Sequence, residues 1–142
     1  MPFIKMWAHV IWATKMRQHY ISSDLKPKLI SHIKQNAEEK GIHVDFLNCT
    51  HDHIHLLISL GADQCLSKCV MLIKGESSHW INSRHLLNTY FEWQEEYIAV
   101  SVSESIVDKV RDYIKNQEVH HRKKSFSEEY QEFIDKYKFL IK

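Results

Sequence analysis

The chain is poor in the residues that break or loosen structure. Its 142 residues include only three glycines and two prolines, which excludes collagen-like repeats and long flexible linkers. Cysteine is equally scarce. Cys49, Cys65 and Cys69 are odd in number and form no close CxxC pair, so no disulfide scaffold is expected and a reducing cytoplasm is. No apolar run approaches the roughly 18 residues of a membrane span. The N-terminal stretch MPFIKMWAHVIWATKMR lacks a small-residue cleavage site and carries Lys5 and His9 inside its apolar part, so it reads as a strand rather than a signal peptide. An excess of one charge is missing as well: 19 lysines and arginines face 18 aspartates and glutamates, for a formal charge of +1. That balance excludes a histone-like polycation and an acidic disordered tail.

Histidine is what the chain has in surplus, with 11 residues. It is the usual metal ligand and the side chain that titrates nearest neutrality. Hydrophobic residues make up 44% of the chain, enough for one domain with its own core over 1–142. Phe3–Ala13 reads as a long strand. Ser22, Ser23 and Asp24 open a helix with Leu25, Leu29, Ile33 and Ala37 on one stripe, and Gly41 stops it. Ile42–Cys49 and His53–Leu60 read as a hairpin around Thr50-His51-Asp52. Asp63 is the expected cap of a second helix, whose stripe is Leu66, Cys69, Val70, Ile73, Ser77, Trp80 and Ile81. Tyr97–Val102 is a fourth strand. Ser101 or Ser103 starts a third helix reaching about His121, and Ser125 with Glu128 caps a last one ending near Tyr137. The order β-α-β-β-α-β plus two helices predicts an α+β, ferredoxin-like (split βαβ) antiparallel sheet with helices on one face. The core would span 1–103 and the two C-terminal helices 104–142. The opposite sheet face would be left free for a ligand or partner.

On that third strand, HIHLLISL alternates. Ile54, Leu56, Ile58 and Leu60 point to one face, and His53, His55, Leu57 and Ser59 to the other. Two imidazoles at i and i+2 point the same way and can share one cation. His51 has the same parity, which leaves a three-histidine zinc site as a rival, although His51 sits in the turn. On the third helix, Tyr113 and Gln117 are four residues apart and share a face. Two histidines and an amide oxygen can hold Mg2+ or Mn2+ with positions left for phosphate oxygens. A tyrosine one helical turn from such a ligand is a candidate nucleophile, and its attack conserves the phosphodiester's energy in a phosphotyrosine bond.

His53-Ile54-His55 resembles the HUH motif, in which U is hydrophobic. SVSESIVDKVRDYIKNQEVHHRKKSFSEEYQEF looks like the tyrosine helix of small single-tyrosine HUH transposases, the bacterial insertion-sequence enzymes and their repeat-associated relatives. The resemblance covers nearly the whole chain, from HVIWATKMR through LIKGESSHWIN to SFSEEY. It implies cleavage and rejoining of single-stranded DNA at hairpin-marked element ends, through a 5′-phosphotyrosine and a free 3′-OH. By motif position, Tyr113 would be the nucleophile and His53, His55 and Gln117 the metal ligands. The resemblance further implies a homodimer in which Tyr113 and Gln117 could act in trans. His51 matches no ligand position.

The segment Lys109–Lys124 carries six cations against Asp112 and Glu118, a local excess suited to phosphates. Candidate DNA-binding residues there are Arg111, Lys115, Arg122, Lys123 and Lys124, beside His120 and His121. Lys15 and Arg17 after the first strand, and Lys74 in LIKGESS, complete the set. Trp7, Trp12, Trp80 and Trp93 are expected mostly in the core or a dimer interface, and Cys65 and Cys69 as small buried hydrophobes. A non-catalytic nucleic-acid-binding module of the same fold is the main alternative. It would carry aromatic residues where the third strand carries histidines.

Overall fold

The computed structural model describes residues 2–117, 119 and 124–137. Strand β1 (Met6–Ala13) is followed by helix α1 (Leu25–Glu39), strands β2 (His43–Cys49) and β3 (His53–Leu60), helix α2 (Leu66–Ser83) and strand β4 (Ile98–Val102). Helices α3 (Val107–Lys115) and α4 (Phe126–Tyr137) come last. The strands form one sheet in the order β2-β3-β1-β4, with every neighbouring pair antiparallel. This is the expected ferredoxin-like arrangement, with β3 and β1 at its centre.

Local chemistry sets the helix bounds. Ser22 Oγ accepts the Leu25 amide at 3.1 Å and holds the start of α1. Pro27 falls in the first turn, where its missing N–H is not needed. Gly41 takes a φ of 72°, in the left-handed region that suits glycine at a helix end. The cap of α2 is Cys65 rather than Asp63. Residues 61–64 are consumed by a turn in which Gln64 bonds the Gly61 amide at 2.8 Å and the Gly41 carbonyl at 2.9 Å, so the helix cannot begin until after it. Cys65 is therefore exposed, against expectation, while Cys69 is buried. The third helix is interrupted. Its first segment ends at Lys115, and Asn116 breaks it at φ −97°, ψ 28°. Gln117 and Val119 are again helical, and the expected end near His121 lies outside the described residues. At the start of α4, Ser125 Oγ accepts the Glu128 amide at 3.2 Å.

The main core lies between the sheet and the α1/α2 layer. Val10 and Trp12 of β1 and Ile54, Leu56 and Ile58 of β3 meet Leu29 and Ile33 of α1 and Val70 and Ile73 of α2. Trp12 and Trp93 pack edge to face, 5.8 Å apart. Trp7, Trp12 and Trp93 are buried, as expected of core tryptophans, and Trp80 stacks on His32 at 4.0 Å.

The opposite face is covered, not free. Trp7, Leu57 and Val102 pack against Val107 and Ile114 of α3. Ile11 and Ala13 pack against Phe126 of α4. The physical reason is that this face is itself largely apolar, so leaving it in water would cost far more than docking two amphipathic helices on it. His53, His55 and Leu57 are consequently 0% exposed. Among the described residues no helix is long and apolar enough to cross a membrane.

Candidate active site

The site lies between the central strands and the two C-terminal helices. The pleat of β3 turns His53 and His55 toward α3 and α4. On β1 the same face carries His9, Ile11 and Ala13, with Ile11 opposite His55 and Ala13 opposite His53. His9, diagonal to His55, shares a hydrogen bond between its Nε2 and His55 Nδ1 at 2.9 Å.

Each histidine has its second nitrogen aimed at α4. The Nδ1 of His53 meets Asp52 Oδ1 at 2.7 Å and Thr50 Oγ1 at 2.8 Å. A carboxylate on Nδ1 sets the tautomer and orients the ring. That leaves Nε2 on the side of Glu129, 3.7 Å from its Oε1. His55 Nε2 lies 2.9 Å from the same oxygen. The other oxygen of Glu129, Oε2, accepts a hydrogen bond from the Tyr113 hydroxyl at 2.5 Å. One carboxylate therefore joins both histidines to the tyrosine.

The helices are anchored where these groups project. Asn48, opposite His55 in the sheet, donates to the Ile114 carbonyl at 2.9 Å. Arg111 forks onto Asp45 at 2.7 and 3.0 Å, tying α3 to β2. The Phe126 ring lies 4.3 Å from the His53 ring, and Phe133 lies 5.6 Å from His9. The rings of Tyr113 and His55 are 5.8 Å apart within this one chain. Gln117 is buried just past the break in α3, and its Nε2 donates to the Tyr113 carbonyl at 3.0 Å.

Burial dominates the electrostatics. It drives the His9 imidazole down to about 3, helped by the neighbouring His55, so His9 stays neutral and hydrogen-bonds without adding charge. Burial and the adjoining Glu129 carboxylate push the Tyr113 phenol above its ordinary range. For Glu129, burial pushes upward but is outweighed by hydrogen bonds from His55 and Tyr113, which bring it to about 2. The site thus holds a neutral phenol against an ionised carboxylate. A cation placed there would favour the phenolate, because bound metal ions invert the local pKa order.

His53, His55 and Glu129 offer two nitrogens and an oxygen within 4.8 Å of one another, all buried, a set that can hold a divalent ion. His19, His51 and Asp52 form a second, outer group with the same spread. His51 packs its ring against His19 at 4.0 Å and falls in this outer group rather than with His53 and His55.

The expected DNA-binding cations scatter. Lys15 pairs with Glu92 at 2.7 Å. Lys74 bonds the carbonyls of Gln94 at 2.5 Å and Glu95 at 3.0 Å, and burial lowers its pKa. Both line a groove of about 550 Å³ beside α2 that none of the site residues enters. Arg17 donates to Ser127 and lies over the Phe126 ring. Arg111 is held by Asp45 and Asp108. Lys124 pairs with Glu132 at 2.5 Å, and Lys115 is exposed. Arg122, Lys123, His120 and His121 lie outside the described residues. A different cavity, about 360 Å³, opens directly beside Tyr113 and is lined by His9, Lys109, Phe133, Lys136 and Tyr137 among others.

Glu129 and His9 are the site residues that sequence reasoning missed. His9 could have been found: it is a lone imidazole in an apolar strand, on the parity of Trp7, Ile11 and Ala13. For Glu129 there was no such signal, since Glu128 beside it is equally acidic and equally near the helix start.

Known proteins bear on this arrangement. The family model described as "Transposase IS200 like" matches residues 3–117. The ISDra2 transposase TnpA of Deinococcus radiodurans is 25% identical over 119 residues, 77% of this chain and 81% of that protein. The transposase for insertion sequence element IS200 of Salmonella typhimurium is 25% identical over 115 residues, 77% of this chain and 74% of that protein. Among solved structures, a candidate transposase of Deinococcus radiodurans superposes with a TM-score of 0.66 at 25% identity, covering 82% of this chain and 93% of that one. A REP-associated tyrosine transposase solved on a REP hairpin shares the fold, with a TM-score of 0.61 at 17% identity over 85% of this chain and 72% of that one. With the family model spanning the sheet, its two helices and the tyrosine helix, the chain belongs to the IS200-like transposase family.

Proposed function

We propose that this transposase cleaves and rejoins single-stranded DNA at hairpin-marked element ends, using Tyr113 as nucleophile and a divalent metal. The observation that carries the proposal is the convergence of the Tyr113 hydroxyl with His53 and His55 on one buried carboxylate. A REP-associated transposase of the same fold, solved bound to a REP hairpin, supports the choice of substrate.

The donor set fits Mg2+ or Mn2+: two imidazole nitrogens held in fixed orientation, with Gln117 close by, just past the end of α3. When bound, such an ion neutralises phosphate oxygens and polarises the scissile phosphodiester. The protein's own groups do the rest. The cavity beside Tyr113 admits the strand, with Lys109 and Lys136 offered to phosphates and Phe133 and Tyr137 to bases. Asn48 and Arg111 hold α3 so that the hydroxyl stays over the histidine face. Attack by Tyr113 Oη forms the tyrosine–phosphorus bond and breaks the bond to the 3′ oxygen. The products are a 5′-phosphotyrosine and a 3′-OH, and attack by another strand's 3′-OH reverses the step.

Lys15, Arg17, Lys74, Lys115, Arg122, Lys123 and Lys124 remain proposed contacts to flanking DNA, and Arg111 acts first as a tether for α3. The proposed working unit is a homodimer of 1–142 chains in a reducing cytoplasm. Within one chain the Tyr113 and His55 rings lie 5.8 Å apart, a distance compatible with a site assembled in cis. Exchange of α3 between the two subunits would assemble it in trans.

The test is incubation with a single-stranded hairpin oligonucleotide and Mg2+ or Mn2+, followed by denaturing electrophoresis. A covalent protein–DNA adduct is expected from the wild type and none from Tyr113→Phe. An adduct that persists in Tyr113→Phe would refute the mechanism.

A further inference from the structure

We propose that Glu129 of α4 is a protein ligand of the catalytic metal and at the same time positions the Tyr113 hydroxyl. This rests on the reading of His53 and His55 as the core of a metal site.

The geometry divides the carboxylate into two roles. Oε1 is the oxygen near both imidazoles, 2.9 Å from His55 Nε2 and 3.7 Å from His53 Nε2. Oε2 is the oxygen that receives the Tyr113 hydroxyl at 2.5 Å. A carboxylate can give one oxygen to a cation and the other to a hydrogen-bond donor. A metal held by Oε1 and the two imidazoles would therefore leave the tyrosine anchored through Oε2, next to the ion. Gln117 lies just past the end of α3, where its amide nitrogen donates to the Tyr113 carbonyl at 3.0 Å, so its neutral amide oxygen is the atom it could offer to a cation. Magnesium and manganese prefer a carboxylate oxygen over an amide oxygen, because the charged donor is the harder one.

The residue is held in place by packing rather than by its own sequence motif. Glu129 is 3% exposed. Phe126, three residues before it, sits on Ile11 and Ala13, and Phe133, four residues after, sits on His9. The spacing puts all three on one face of α4, so docking the aromatic side chains delivers the carboxylate to the histidines. The match to the transposase family ends at residue 117. The ligand is thus supplied by a helix outside the region that defines the family, and α4 belongs to the active site.

The experiment is Mn2+ binding to the DNA-free protein, followed by electron paramagnetic resonance, with near-ultraviolet circular dichroism as a check on folding. Glu129→Ala is expected to weaken Mn2+ binding by about tenfold or more, since loss of groups that merely orient ligands already costs that much. The isosteric Glu129→Gln keeps the shape and is expected to weaken it in the same direction. Tyr113→Phe, which removes no ligand, is expected to bind Mn2+ as the wild type does. Unchanged affinity in a folded Glu129→Ala or Glu129→Gln protein would overturn the proposal, even if α4 became less stable. If His53→Ala and Glu129→Ala both bind like the wild type, the metal reading itself fails. If only His53→Ala loses binding, that reading stands and the role of Glu129 falls.

Discussion

Removing the Phe126 ring should release α4 from the sheet without unfolding the domain. Phe126 is 5% exposed and is the one buried apolar anchor of this helix, with Tyr130 and Phe133 packed only partly beside it. Its ring touches Ile11, Ala13 and His53. Truncating a buried phenylalanine to alanine costs about 3 kcal/mol or more where the site cannot collapse. The α1/α2 core contributes nothing to this cluster, so the loss falls on the docking of α4 alone. At roughly 1.36 kcal/mol per decade, about 3 kcal/mol raises the undocked population roughly 150-fold. The assay is native-state hydrogen exchange. Amides of α4 in Phe126→Ala should exchange about two decades faster, while those of β1 and β3 keep their protection. Mn2+ affinity should fall in step, because Glu129 leaves with the helix. Equal loss of protection in the central strands would refute the reasoning, since it would make α4 part of the global folding unit. Unchanged exchange in α4 would refute the packing argument.

Other predictions concern charge, assembly and thiols. His9 is held neutral with its pKa lowered from 6.5 to about 3 by burial and by His55. The unfolded chain therefore binds more protons between those values, and stability should fall as pH drops from 6.5 toward 3. His9→Gln should flatten that part of a urea-midpoint profile, and an unchanged slope would contradict it. Mixing Tyr113→Phe with His53→Ala protein should not restore adduct formation if each site is assembled in cis, whereas recovery of activity on mixing would show exchange between subunits. Burial pushes the Cys49 thiol up to about 12, while Cys65 is exposed and lowered by its hydrogen bond with Ser67. Cys65 should react with a thiol reagent in the native state well before Cys49, and simultaneous labelling would argue against the packing around Cys49.

Much of this molecule was legible in residue spacing. The alternation in HIHLLISL announced a strand, and it assigned Ile54, Leu56 and Ile58 to one face and His53 and His55 to the other. The stripe Leu25, Leu29, Ile33, Ala37 became the buried side of α1. These inferences succeed because strand and helix periods of 2 and about 3.6 residues are local properties of the backbone. Bounds were less legible where turns competed, as at Gln64, which displaced the cap of α2 from Asp63 to Cys65. The free sheet face did not survive either, because Trp7, Ile11 and Leu57 on that face needed cover.

By itself, the sequence determined the element order and the two faces of β3, and it set Tyr113 on the third helix with Gln117 four residues on. Only the tertiary structure decided that α3 and α4 close over the histidines, that His9 joins them, and that Glu129 rather than Glu128 meets Tyr113. The physical reason is range. Periodicity acts over a few residues, whereas Glu129 reaches His55 across 74 positions of chain, through the docking of Phe126 and Phe133 on an apolar surface that no local pattern records.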